Sequence, residues 1–209
     1  MIDLYTWGTP NGRKVSIMLE ECALPYRVHK INIGTNAEQF TPEYLKINPN
    51  GKIPAIVDPD GPGGKPIAMM ESGAILIYLA DKTKKFMPTD AAKRYDALQW
   101  LMWQMGGFGP MLGQAHHFLR AAPSKIEYGI KRYVDEAKRL YGVLDKQLAS
   151  NAFVAGEEYT VADMSIFPWA ARHEWHTVNL ADFPNVKRWY YIVNARPAVT
   201  KGMSVPYLN

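Results

Sequence analysis

With 209 residues and 47% hydrophobic content, the chain can build one large or two small domains with apolar cores, and two is the expectation here. Its 24 Lys and Arg against 20 Asp and Glu give a net charge of +4, but the bases are scattered among acids, which argues against a nucleic-acid surface and for mild attraction of small anions. No run of about 18 uncharged apolar residues suggests a membrane span, Met1-Ile2-Asp3-Leu4 lacks a secretory pattern, and the single cysteine, Cys22, excludes a disulfide framework, a CxxC pair and a cysteine zinc site; a cytoplasmic protein is expected.

In chain order, Ile2 to Thr6 predicts a strand and Asn11 to Cys22 an amphipathic helix with Val15, Met18, Leu19 and Cys22 on one face. Tyr26 to Ile33 predicts a second strand. Ala55 to Val57 and Pro66 to Met70 are short apolar runs flanking the Gly/Pro turn Asp58 to Lys65, and a helix opens at Glu71-Ser72-Gly73. This β-α-β then β-β-α order predicts an α/β layer domain of the thioredoxin type over residues 1–83. Residues 84–90 read as a linker. From 91 to 209 the pattern is helical, with helices expected over Ala91–Gln114, Ser124–Ser150, Val161–Glu174 and Asn185–Ala195, so the fold class is α/β plus an all-α C-terminal domain. Thr160-Val161-Ala162-Asp163 has the spacing of a capping box.

The chemistry gathers at backbone features. A proline just before a strand, as at Ile53-Pro54, either sits at a strand end or, in the cis form, turns the N–H and C=O of the preceding residue outward, where an extended peptide could pair with them. Ser72 is expected to cap the helix behind it, whose N-terminus suits a carboxylate, and Glu71 could hold an ammonium group. These are the needs of a short peptide with an amino-acid-like end. The loop Thr6 to Lys14 joins the first strand to the first helix, where Thr9 and Asn11 could donate to a thiolate or simply start the helix together with Pro10.

Ile53-Pro54 followed by Glu71-Ser72 resembles the glutathione-binding half of the glutathione transferase superfamily. The runs Thr9-Pro10-Asn11-Gly12, 48–57, 71–76, 98–101 and 106–114 closely resemble its bacterial nu class, related to Ure2-like proteins. The resemblance implies a glutathione-dependent disulfide-bond reductase with some glutathione transferase or peroxidase activity, which binds two glutathione molecules or glutathione disulfide and needs no protein cysteine. Carried over, it places Thr9 and Asn11 at the glutathione sulfur, Gln39 and Lys52 at the glycyl end, the Ile53 backbone against the cysteinyl unit, and Glu71 with Ser72 at the γ-glutamyl end. It also implies a homodimer in which Arg132 reaches the neighbouring site. Alternatives are a slow or non-catalytic regulatory module that keeps the same pocket, and a glutathione-dependent etherase or lyase.

Glycines and a proline at Gly106-Gly107-Phe108-Gly109-Pro110 interrupt a helical segment, where each costs roughly 1 to 3 kcal/mol relative to alanine. Either they open a second-ligand pocket walled by Trp103, Phe108 and Met111, or they let two helices pack closely. Cys22 is expected to be a buried, inert thiol. No metal site is expected: His116 and His117 diverge on a helix, and His173 and His176 are read as a surface pair.

Overall fold

The computed structural model describes residues 1–207, and its contacts divide them into two units: residues 1–85 with the segment from Arg196 onward, and Phe86–Ala195. The first unit contains a four-stranded sheet. β1 (Ile2–Thr6) pairs in parallel with β2 (Tyr26–Lys30) and antiparallel with β3 (Ala55–Asp58), which pairs antiparallel with β4 (Ile67–Met70), for the order β2-β1-β3-β4. This is the expected thioredoxin-like arrangement with a terminal hairpin. Alternation along β1 buries Ile2, Leu4 and Thr6 on one face.

α1 (Pro10–Glu21) buries the predicted face of Val15, Met18 and Leu19, and Cys22 follows at its C-cap. It also buries Lys14, Ser16 and Ile17, which a one-sided amphipathic pattern leaves outside. Ser16 Oγ donates to the Gly202 carbonyl at 2.7 Å, and a Cβ on Gly202 would lie 2.6 Å from the Ile17 nitrogen. This close approach explains why the segment from Arg196, expected to be part of the helical domain, groups with the first unit instead. Arg196 forks onto the Glu21 carboxylate at 2.6 and 2.9 Å at the same contact.

Between β2 and β3, which no sequence pattern assigned, a short 3₁₀ turn (Glu38–Phe40) precedes α2 (Pro42–Leu45), whose cap Thr41 accepts from Tyr44 N at 3.4 Å. α3 (Ser72–Thr83) follows β4 and ends at Lys84 in the left-handed region.

The second unit is helical, with α4 (Ala91–Trp103), α5 (Gly109–His116), α6 (Glu127–Leu148), α7 (Val161–Ala170) and α8 (Pro184–Asn194). Phe108, Tyr141, Phe167 and Trp189 fill its core. The glycine-rich interruption is a π-helical turn over Gln104–Phe108. Here close packing explains the later glycines: a Cβ on Gly109 would sit 3.1 Å from Trp169 Nε1 and one on Gly113 3.3 Å from the Trp169 ring, whereas Gly106 and Gly107 face open space. The predicted capping box at Thr160 and Asp163 opens α7. In the first unit, α9 (Pro197–Met203) is the helix that carries Gly202. Among the described residues no helix is long and apolar enough to cross a membrane.

Candidate active site

Sheet register brings the sequence-predicted residues of the first unit to one end of the sheet. Tyr5 pairs with Ala55 and Ala55 with Met70, so the Trp7–Thr9 loop, the Ile53-Pro54 step and Glu71-Ser72 all leave the same edge of three adjacent strands. The Ile53–Pro54 peptide is cis. The Ile53 side chain packs inward on Tyr44 and Ala55, with Trp7 and Ile47 against them, while its backbone N–H and C=O have no hydrogen-bond partner among the described residues. Those groups are available to an extended peptide, as an unpaired strand edge would be.

Several contacts hold the backbone there. The Tyr44 hydroxyl and Asn48 Nδ2 both donate to the Lys52 carbonyl at 2.6 Å. Asn48 Oδ1 accepts from Asn50 N, and Gly51 adopts φ +61 in the turn that leads into Lys52. A Cβ on Gly51 would meet the Phe40 ring at 2.8 Å, so glycine lets the Gln39-Phe40 turn lie against this strand entry. Gln39 therefore lies beside Gly51, the residue before Lys52, and the Gln39 Oε1 is buried without a partner among the described residues. Tyr44 lies outside every run the sequence singles out, and Asn48, which opens the run 48–57, carries no role that the sequence alone assigns.

At the start of α1, Thr9 is the N-cap, its Oγ1 accepting from Gly12 N at 3.3 Å, and Asn11 stands in the first turn. A Cβ on Gly12 would lie 2.5 Å from the Trp7 carbonyl and closer still to Thr6 Oγ1, so the helix starts tightly over the end of β1. Tyr5 stays in the strand, stacked on His29 with centroids 4.5 Å apart, and burial raises its hydroxyl pKa. Thr9 and Asn11 thus stand at the positive end of α1.

At α3 the structure corrects one detail. The N-cap is Glu71, not Ser72, and Glu71 holds φ 66 and ψ 109, a region a non-glycine residue occupies only when its surroundings require it. Ser72 is the first helical residue, 4% exposed, with its Oγ accepting from Lys14 Nζ at 3.3 Å. Lys14 carries no sequence signal for burial, since a lysine is expected in water and only packing against α3 encloses it.

The residues proposed for the second unit separate. Phe108 is fully buried, its ring 5.1 Å from Trp103 and 5.3 Å from Tyr141, so it is a core residue and not the pocket wall expected. Trp103 borders a hollow of about 740 Å³ with Trp100 and Gln99, whereas Met111 borders another of about 610 Å³ together with Arg132 and Tyr128. Trp103 and Met111 thus border different hollows. Arg132 is exposed on α6.

Cys22 is buried as expected, donating to Met18 Sδ at 4.0 Å and lying 3.4 Å from Thr83 Oγ1, and burial pushes its thiol pKa up. A raised thiol pKa makes a poor nucleophile. His176, expected at the surface, is instead fully buried with both ring nitrogens unpartnered, and desolvation lowers its pKa to about 3. Its neighbour His173 donates from Nδ1 to the Val178 carbonyl at 2.9 Å.

Family models match both parts of the chain, the glutathione S-transferase N-terminal domain over residues 9–82 and the glutathione S-transferase C-terminal domain over residues 110–197. The disulfide-bond oxidoreductase YfcG of Escherichia coli (strain K12) is 48% identical over 97% of this chain and 94% of its own length. Among solved structures, a glutathione transferase from Burkholderia graminis with two glutathione molecules bound per subunit superposes with TM-score 0.94 at 47% identity, covering 100% of this chain and 89% of that one. Another, from Pseudomonas putida with one glutathione disulfide bound per subunit, gives TM-score 0.94 at 46% identity over 98% of this chain and 91% of that one. With two family models and relatives this similar along nearly its whole length, the chain belongs to the glutathione transferase superfamily, in the nu class.

Proposed function

We propose that the chain is a glutathione-dependent disulfide-bond reductase that uses the thiol of bound glutathione and no cysteine of its own, with transferase activity towards small electrophiles. One observation carries the reading: strand register gathers a helix start bearing Thr9 and Asn11, the unpaired Ile53 backbone and the Glu71-Ser72 helix start at one sheet end, while the sole cysteine is buried at the far, C-cap end of α1. Gln39 and Lys52 would hold the glycyl end, Ile53 the cysteinyl backbone, and Glu71 with Ser72 the γ-glutamyl end. Thr9, Asn11 and the α1 N-terminus would favour the thiolate.

That thiolate attacks one sulfur of a disulfide, forming a mixed disulfide and releasing the other sulfur as a thiolate that takes up a proton. A second glutathione thiolate then displaces the remaining sulfur, so two thiols become one glutathione disulfide as the substrate disulfide becomes two thiols. The solved relatives with two glutathione molecules and with one glutathione disulfide support this reading, since those are the two ends of such a cycle.

The test is turnover of 2-hydroxyethyl disulfide with glutathione. Wild-type protein is expected to catalyse it and Cys22→Ala to retain most of that activity; abolition in Cys22→Ala would overturn the cysteine-free mechanism. We further assign a homodimer in which Arg132, exposed beside Met111, reaches the partner's site. Sedimentation is expected to report a dimer and Arg132→Ala to raise the KM for glutathione; a monomer with unchanged KM would reject the assignment.

A further inference from the structure

We propose that Lys14 is a positioning residue of the glutathione site: a buried ammonium beneath the first turn of α3 that sets the affinity for the carboxylate at the γ-glutamyl end. The inference rests on the functional reading above and adds a residue to it.

Lys14 is 1% exposed, and its Nζ lies 3.3 Å from Ser72 Oγ. An ammonium only donates, so the Ser72 oxygen accepts in this contact and its hydrogen points elsewhere. The N-terminus of a helix is its positive end, where acids stabilise and a cation is unfavourable, and burial away from water adds to the penalty. At α3 the acid present, Glu71, is exposed and makes no side-chain capping bond. Helix dipole, first-turn N–H groups and ammonium therefore act with the same sign at one point, which suits an incoming carboxylate. Glu71 beside them is the opposite charge that the ammonium of an amino-acid end requires.

The same burial makes the group titratable near neutrality. Desolvation lowers the Lys14 pKa to about 7, with Glu71 opposing the shift. On the α9 side, the N-cap residue Arg196 and Lys201 pair with Glu21 and Glu20 at the opposite end of α1. Arg13, its neighbour on α1, is itself lowered by burial. With its pKa lowered to about 7, Lys14 loses its charge progressively as pH rises through neutrality, and affinity for the carboxylate falls with it.

The test titrates S-methylglutathione, whose blocked thiol cannot ionise, into wild-type and Lys14→Met protein by calorimetry between pH 6 and pH 8. Wild-type affinity is expected to weaken about tenfold across this range, the change in protonated fraction for a group titrating near 7. Lys14→Met is expected to bind about tenfold more weakly than wild type at pH 6 and to show a flat profile, with the KM for glutathione raised more than kcat is lowered. Equal binding by folded Lys14→Met overturns the inference alone. Should that variant not fold, the wild-type profile decides, and a flat one overturns it. Wild-type protein that binds no S-methylglutathione overturns the functional reading as well.

Discussion

Replacing Asn11 with alanine is expected to lower disulfide turnover about a hundredfold or more, the scale of removing one preorganised donor from a developing or resting anion. A thiol that is mostly protonated at neutral pH gains reactivity only if its ionised form is stabilised, and α1 offers two kinds of help, its N-terminal dipole and its first-turn side chains. Thr9 is the less informative target, because its oxygen already accepts from Gly12 N at 3.3 Å and Thr9→Ala would also remove a helix cap worth about 1 kcal/mol. Thr9→Ser keeps the cap and is expected to retain activity. For Asn11→Ala, glutathione affinity should change little, while the pH at which the bound thiol ionises, followed by thiolate absorbance, should rise. Turnover within a factor of about two of wild type would mean that Asn11 does not ionise the sulfur and that Thr9 and the helix N-terminus suffice.

How much of this site was legible in the sequence varies with the kind of signal. Strands and the first helix could be read because their patterns are local: β1 alternates, and Val15, Met18 and Leu19 repeat at helical spacing. Ile53-Pro54 and Glu71-Ser72 could be read as an ordered pair, but their convergence depends on the Tyr5, Ala55 and Met70 register, which no local pattern contains. Thr41-Pro42-Glu43 is a complete helix start that went unused, since α2 is only four residues long and too short to show a period. Serine favours a cap, so residue type points to Ser72; the structure has Glu71 there instead, in a positive-φ conformation that residue type alone does not suggest. Lys14 and His176 were hidden for a common reason. Composition expects both outside, and only tertiary packing, on α3 and among the helices of the second unit, buries them. The segment from Arg196 reads as one more helix; that α9 seats its Gly202 on Ile17 is a long-range fact.

Asp163→Ala should unfold the protein more readily than any other single change named here, by about 3 to 5 kcal/mol in urea denaturation. The carboxylate is fully buried and accepts from four donors: Val154 N and Thr160 N at 2.9 Å, Trp189 Nε1 at 2.8 Å and Thr160 Oγ1 at 3.3 Å. It therefore does more than close the capping box at the start of α7, since it also fixes the Val154 loop and the α8 tryptophan to that helix. Alanine leaves two backbone N–H groups and an indole N–H buried without an acceptor, and each such orphan costs about 1 to 3 kcal/mol. Asp163→Asn keeps the shape and one acceptor oxygen but turns an NH2 towards groups that are themselves donors, so its loss should be smaller yet substantial. The contrast separates charge and acceptor number from volume. A loss below about 1 kcal/mol for the alanine variant would show that water or a rearranged backbone satisfies those donors, and that the buried carboxylate is a passenger in the fold and not one of its fixings.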